Sequence, residues 1–487
     1  MTQEGRDRLA LARFETGVPG LDTVLQGGLF AGGVYIVQGA AGTGKTILAN
    51  HICFHQARRN QRIVYATLLA ESHDRLLQYL SSLDFIDLSL IPDRLSYVSA
   101  YATLTEEGLP GVVKAIRKMM RHENPDLLVL DGLFVAQERV DSATAFREFI
   151  YELQGIAAIS GCTMLFLTNG PSHGFSPEHT MVDGFIQLHR ELVGARAVRS
   201  LVVEKLRGGP VLEGQHFVKI DRRGLVVFPR LETLVGTSPV GMIPRARLST
   251  GVPDLDRMTS GGLPVKSTTL VAGPSGIGKT TLGLAFLSQC TTESRGVFFG
   301  CYEASEELMV KAGAIGIDTR RLQDEGSLAV VWHRPLESSL DELAHILLDT
   351  VDRTGATRVF IDGIGAFQQT VVFPDRLTPF FTALSLQLRG RGVTALCSVE
   401  APKFFQPEEL ALHEISPIAE NMLLLRFAQT GSRLTRTLTI IKMRQSGYDP
   451  EIVPFEITDH GIVIAARGHA EDIPTGTRPS GRTPGSS

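Results

Sequence analysis

The chain has 487 residues, 43% of them hydrophobic and 21% charged, with a net charge of −4; this is ordinary globular composition with room for roughly two to four domains, and the charge excludes bulk attraction to nucleic acid or an anionic membrane. Five scattered cysteines without a C-x-x-C pair exclude a disulfide framework and a zinc ribbon. No apolar run reaches the ~20 residues that span a bilayer, and the charged first residues lack a signal-peptide core, so the reading is a cytoplasmic, reduced protein.

In chain order, Thr16-Gly17-Val18-Pro19-Gly20-Leu21-Asp22 comes first, followed by Gly27-Gly28-Leu29. Residues 33–38 are an apolar run of strand length, and residues 47–52 suit a helix. Between them lie Gly39, Gly42, Thr43, Gly44, Lys45 and Thr46, with Ile47 opening the helix. Strand, glycine loop and helix are the context in which G-x-x-x-x-G-K-[ST] binds phosphate. The glycines let backbone amides close around anionic oxygens at the positive end of the helix. Lys45 supplies charge to the β- and γ-phosphates, and Thr46 a hydroxyl to Mg2+. Residues 62–67 then read as strand, 73–83 and 105–121 as helices, 127–131 as a buried strand, 143–158 as helix and 162–167 as strand. A polar loop over 171–177 precedes strands at 184–188 and 200–204.

The pattern then recurs. Thr250-Gly251-Val252-Pro253-Asp254-Leu255-Asp256 and Gly261-Gly262-Leu263 repeat the opening, and Gly273, Ser275, Gly276, Ile277, Gly278, Lys279, Thr280 and Thr281 repeat the loop. One shared offset across several motifs means an internal duplication. Strands at 296–300, 358–362 and 393–399 alternate with helices at 305–313 and 378–389. Alternating elements with fully apolar strands predict two tandem α/β P-loop domains, each a mainly parallel sheet covered by helices. The expected limits are 1–235 and 247–465, joined by a linker over 236–246 and followed by a disordered Gly/Pro/Ser-rich tail over 466–487.

Asp131 and Asp362 each end a buried strand, where a carboxylate is costly unless it meets a cation; they are candidate Mg2+ ligands with Thr46 and Thr280. Glu71 and Glu303 follow the second strand of each repeat and are candidate bases for the attacking water, although acids after a serine also suit a helix N-terminus. Lys205 with Arg207, and Lys442 with Arg444, end a late strand in each copy. Recurrence suggests phosphate contacts, the alternative being solvated strand ends. Loops 170–180 and 401–414 are poor in cations, which argues against a nucleic-acid track.

With these elements in place, the chain resembles the KaiC family of RecA-like ATPases, which contains the cyanobacterial circadian clock protein. The resemblance covers about residues 10–465 and rests on the repeated opening motif, both loops, the two aspartates and the Lys-Leu-Arg and Lys-Met-Arg pairs. It implies a RecA-like fold and a two-tiered hexameric ring acting through regulatory protein partners. It also implies ATP between neighbouring subunits, touched by Lys205, Arg207, Lys442 and Arg444 of the adjacent copy. Where the family has two adjacent glutamates, this chain has Ala70-Glu71 and Glu303-Ala304, which puts first-domain hydrolysis in question. Where the family carries a phosphorylated Ser-Thr pair, this chain has Ser416-Pro417, so Ser416 is a candidate site of autokinase activity, or a turn residue before proline. The alternative functions are a nucleic-acid-associated RecA/RadA-like ATPase and a nucleotide-gated scaffold with little turnover.

Overall fold

The computed structural model describes residues 12–70, 72–140, 142–170, 177–236, 246–400, 419–430, 432–444 and 446–464. The chain divides into two compact units, Met1–Leu234 and Val235–Ser487. Glu71, Ser416, residues 237–245 of the linker expected over 236–246, residues 171–176 and 401–418, and the tail lie outside the described residues.

The main sheet of the first unit holds β1 (Val34–Gly39), β2 (Ile63–Thr67), β3 (Leu95–Ser99), β4 (Leu127–Asp131), β5 (Thr163–Thr168), β6 (Gly184–Val193), β7 (Arg196–Leu206), β8 (His216–Asp221) and β9 (Gly224–Phe228). Among the described residues they form a nine-stranded sheet in the order β3-β2-β4-β5-β1-β6-β7-β8-β9. From β3 to β6 every neighbour is parallel; β7, β8 and β9 are added antiparallel. Both faces of the central strands are covered. Tyr35, Val37, Leu127 and Val129 pack with Leu48, Ile52 and Phe54 of the helix Lys45–Arg58. The alternate residues Val34, Ile36, Leu128 and Leu130 pack with Val112, Ile116, Phe149 and Leu153 on the opposite face. Two-sided burial is why these strands read as unbroken apolar runs.

The second unit holds β10 (Thr268–Gly273), β11 (Gly296–Gly300), β12 (Leu328–Trp332), β13 (Arg358–Asp362), β14 (Thr394–Glu400), β15 (Asn421–Thr430), β16 (Arg433–Met443), β17 (Val453–Thr458) and β18 (Gly461–Ile464). Its order, β12-β11-β13-β14-β10-β15-β16-β17-β18, repeats the first strand for strand.

The sheets differ from the sequence reading at their margins. The edge strands β3 and β12 and the closing pairs β8–β9 and β17–β18 were not expected; all are short, and β3, β8 and β17 mix polar with apolar residues. The helix expected over 105–121 spans Tyr101–Glu123, broken at Gly108 (φ 67°, ψ −161°) and closed by Asn124 in the left-handed region. The helix over 73–83 ends at Leu80. The opening motif is a staple. Asp22 accepts from Thr16 N at 2.9 Å, Thr16 Oγ1 at 2.7 Å and Gly17 N at 3.1 Å. Asp256 accepts from Thr250 N and Thr250 Oγ1, both at 2.7 Å.

Candidate functional site

Each glycine loop leaves the carboxyl end of the sheet's central strand, the edge where open α/β sheets bind ligands. Gly44 (φ 107°) and Gly278 (φ 119°) are left-handed and turn the chain into the helices that begin at Lys45 and Lys279. That φ is what calls for glycine at Gly44, since a Cβ there would meet only the movable side-chain ends of Ile220 and Leu225. Thr43 and Ile277 are buried and pin the loops inward, while Gly42, Ser275 and Gly276 face outward.

The lysines lie folded over the loops in the same way. Lys45 Nζ donates to Gly39 O at 2.7 Å and Ala40 O at 3.0 Å. Lys279 Nζ donates to Gly273 O and Pro274 O, both at 2.8 Å. Burial holds both ammonium groups below their ordinary pKa. An anion in the loop would offer each charge better compensation than two carbonyls do.

Thr46 Oγ1 donates to Asp131 Oδ2 at 3.5 Å, and Thr280 Oγ1 to Asp362 Oδ2 at 2.9 Å. Burial pushes both carboxyls above the usual carboxylate range. A divalent ion beside each would relieve that burden. Among the described residues no group of three His, Cys, Asp or Glu side chains could hold a metal unaided. The hydroxyl–carboxylate corner therefore suits an ion that draws its remaining oxygens from phosphate and water, as Mg2+ does.

Register exposes a difference between the two corners. Tyr65 OH donates to Asp131 Oδ2 at 2.6 Å from β2; Phe298 holds that position in β11, because Tyr65 pairs with Val129 and Phe298 with Phe360. In the second unit Ser398 Oγ donates to Asp362 Oδ1 at 2.7 Å from β14, whereas Leu167 holds the matching place in β5. Neither hydroxyl was found from sequence; the available signal was a lone polar side chain in a buried apolar strand. Tyr65→Phe is expected to destabilise the first unit by about 1–3 kcal/mol and to leave the second unit's nucleotide affinity unchanged. Thermal unfolding and nucleotide titration check it.

Glu303 stands three positions beyond Gly300, which pairs with Asp362. Its Oε1 accepts from Lys311 Nζ, its Oε2 is buried without a hydrogen-bond partner, and its charge helps push Asp362 upward. Thr67 pairs with Asp131 in the first unit, so the residue matching Glu303 is Ala70; Glu71 falls one position later.

The paired cations lie at the opposite edge of the sheet. Because β7 runs antiparallel, Lys205 faces Phe185, which is level with Ile36. Arg207 therefore sits about 16 Å along the strand from the loop of its own unit. Lys205 Nζ donates to Thr180 O at 2.7 Å and Arg207 Nη2 to Thr180 O at 2.9 Å; Lys442 Nζ donates to Ala419 O at 2.7 Å. In both sheets a bulge immediately precedes the lysine, between Phe185/Ile186 and between Met422/Leu423. A bulge re-aims the side chains beside it, and this one was not expected from sequence.

A family model described as "ATPase: KaiC" matches residues 14–232 and again 248–469. Similar proteins include the circadian clock oscillator protein KaiC of Picosynechococcus sp., 25% identical over 466 residues, covering 93% of this chain and 89% of that one. The oscillator protein KaiC of Acaryochloris marina is 24% identical over 487 residues, covering 97% and 92%. The circadian clock protein KaiC3 of Synechocystis sp. is 24% identical over 476 residues, covering 93% and 92%.

Proposed function

This chain belongs to the KaiC family of ATPases, and from that premise we propose that it is a ring-forming regulatory ATPase that acts in the cytoplasm through partner proteins. The observation that carries the reading is the recurrence, in both units, of a glycine loop with its lysine folded over it and a threonine–aspartate corner beside it. The free and buried state of all five cysteines accords with a reducing compartment. Among the described residues no helix is long and apolar enough to cross a membrane.

The mechanism follows from the residues. Loop amides and Lys279 hold the β- and γ-phosphates of ATP. Thr280 Oγ1 and Asp362 Oδ2 are the groups that would hold Mg2+, which would supply charge neutralisation to the transferred phosphoryl group. Glu303 Oε2 takes the proton of a water aligned with the γ-phosphorus. With Ala70 in the matching place, the first unit binds ATP and turns it over slowly. Arg207 and Arg444 contact nucleotide held by an adjacent copy, which gives the ring, hexameric as in the resemblance, its dependence on ATP. The hydroxyl of Ser416 is an alternative acceptor to water in the second unit, giving single-site serine autokinase activity, since Pro417 has no hydroxyl.

The test is the size of the protein with and without Mg-ATP, with phosphate release followed and phosphoserine sought by mass spectrometry. The expected result is an oligomer strengthened by ATP, with Mg-dependent release. A protein that stays monomeric with both ATP and a non-hydrolysable analogue would overturn the ring.

A further inference from the structure

The Glu303–Lys311 pair is the feature that the proposed mechanism leaves unexplained. Glu303 ends the loop after β11, and Lys311 lies in the last turn of the helix Ser305–Gly313. Their side chains are 31% and 53% exposed, and an ion pair that open to water contributes only about 0–1 kcal/mol to folding. Stability is thus a weak reason for it. What the pair does is geometric. Lysine occupies one carboxylate oxygen, and the other is left buried and unpartnered, on a carboxylate close enough to Asp362 to raise that group's pKa. Without the ammonium group, two neighbouring carboxylates would repel, and Glu303 could rotate away from the site.

The duplication supplies an internal control. Counting from the residue that pairs with the strand-end aspartate, Ser305 corresponds to Ser72, which precedes the helix His73–Leu80. By the same count Glu303 corresponds to Ala70 and Lys311 to Gln78. At the two register-matched positions the carboxylate and the ammonium group are present together in one copy, and alanine and glutamine stand there in the other, where Glu71 falls one place later. A surface lysine with an unrelated role would have no reason to follow the glutamate.

We propose that Lys311 is a positioning residue for Glu303, holding Oε1 so that Oε2 faces the attacking water in the second unit. The inference rests on the reading of Glu303 as the base. The experiment uses the full chain and measures steady-state ATP turnover, binding of a fluorescent ADP and thermal unfolding for Lys311→Met, Lys311→Arg, Glu303→Gln and the Lys311→Met/Glu303→Gln double variant. Methionine keeps the aliphatic stem and removes the charge. Lys311→Met is expected to lower kcat about tenfold with KM, ADP affinity and unfolding temperature unchanged, and Lys311→Arg to retain most of the turnover. Glu303→Gln is expected to lower turnover ~100-fold, and the double variant to be no slower than Glu303→Gln alone, because two residues acting through one group are non-additive. A costly Glu303→Gln beside a silent Lys311→Met would overturn the positioning role alone. Equal losses from Lys311→Met in both backgrounds would overturn it as well. A silent Glu303→Gln would overturn the base and the positioning role together.

Discussion

Lys279→Ala is expected to bring ATP turnover of the whole chain down ~100-fold or more, the scale of a lost transition-state cation, while Lys45→Ala leaves it within about twofold. The two lysines are geometrically alike, each bridging two carbonyls of its own loop. Their unequal weight comes from what stands opposite: a carboxylate with a buried free oxygen in one unit and Ala70 in the other. Both variants should weaken nucleotide binding in their own unit, since each removes a charge that the phosphates would meet. Phosphate release and the stoichiometry of bound nucleotide separate the two effects. Comparable losses of turnover in the two variants would mean that the first unit hydrolyses ATP without a glutamate at the Ala70 position.

Arg444→Ala is expected to lower turnover ~1,000-fold, the scale of a charge delivered to phosphate from a neighbour, without loss of nucleotide from the loop of its own protomer. The argument is one of distance. Arg207, its counterpart, lies at the amino edge of its sheet, and the backbone of Arg444 is tied to Glu420 O at the equivalent edge, at 3.0 Å. Neither side chain can serve the loop at the carboxyl edge of its own sheet. A mixing experiment makes the expectation strict. Lys279→Ala and Arg444→Ala protein should each be nearly inactive, and an assembled mixture should recover activity. Recovery needs an intact loop on one copy to face an intact arginine on the next. If the mixture is no more active than its components, the arginine does not act between copies.

What could be read along the chain was whatever is local. The glycine loops, the strand-end aspartates and the helix Ser305–Gly313 depend on contiguous residues, and the apolar runs of β1, β4, β10 and β13 follow from burial on both faces. What could not be read depends on register between distant segments. Tyr65 and Ser398 reach the aspartates from opposite neighbouring strands, and no spacing within either strand announces it. The place of Lys205 at the far edge follows from the direction of β7, which the two-residue turn Gly194-Ala195 decides. The offset of Glu71 from Glu303 was legible, since Ala70-Glu71 stands where the second copy has Glu303-Ala304, and the register of Thr67 and Gly300 opposite the two aspartates agrees with it. Edge strands such as β3 escaped because Ser96 and Ser99 break the apolar run of Leu95–Ser99 and only Leu95 is fully covered.

The exchanged hydroxyl donors restrict how the halves of this duplicated chain can be recombined. Grafting β11 alone into the place of β2 would set Phe298 where Tyr65 stands, and Leu167 would offer Asp131 nothing in return. Grafting β11 and β14 together would carry Ser398 along and restore a donor. Chimeras of the two halves should accordingly tolerate strands transplanted in pairs and reject them singly, so that the flanking strands on either side of the aspartate behave as one heritable module.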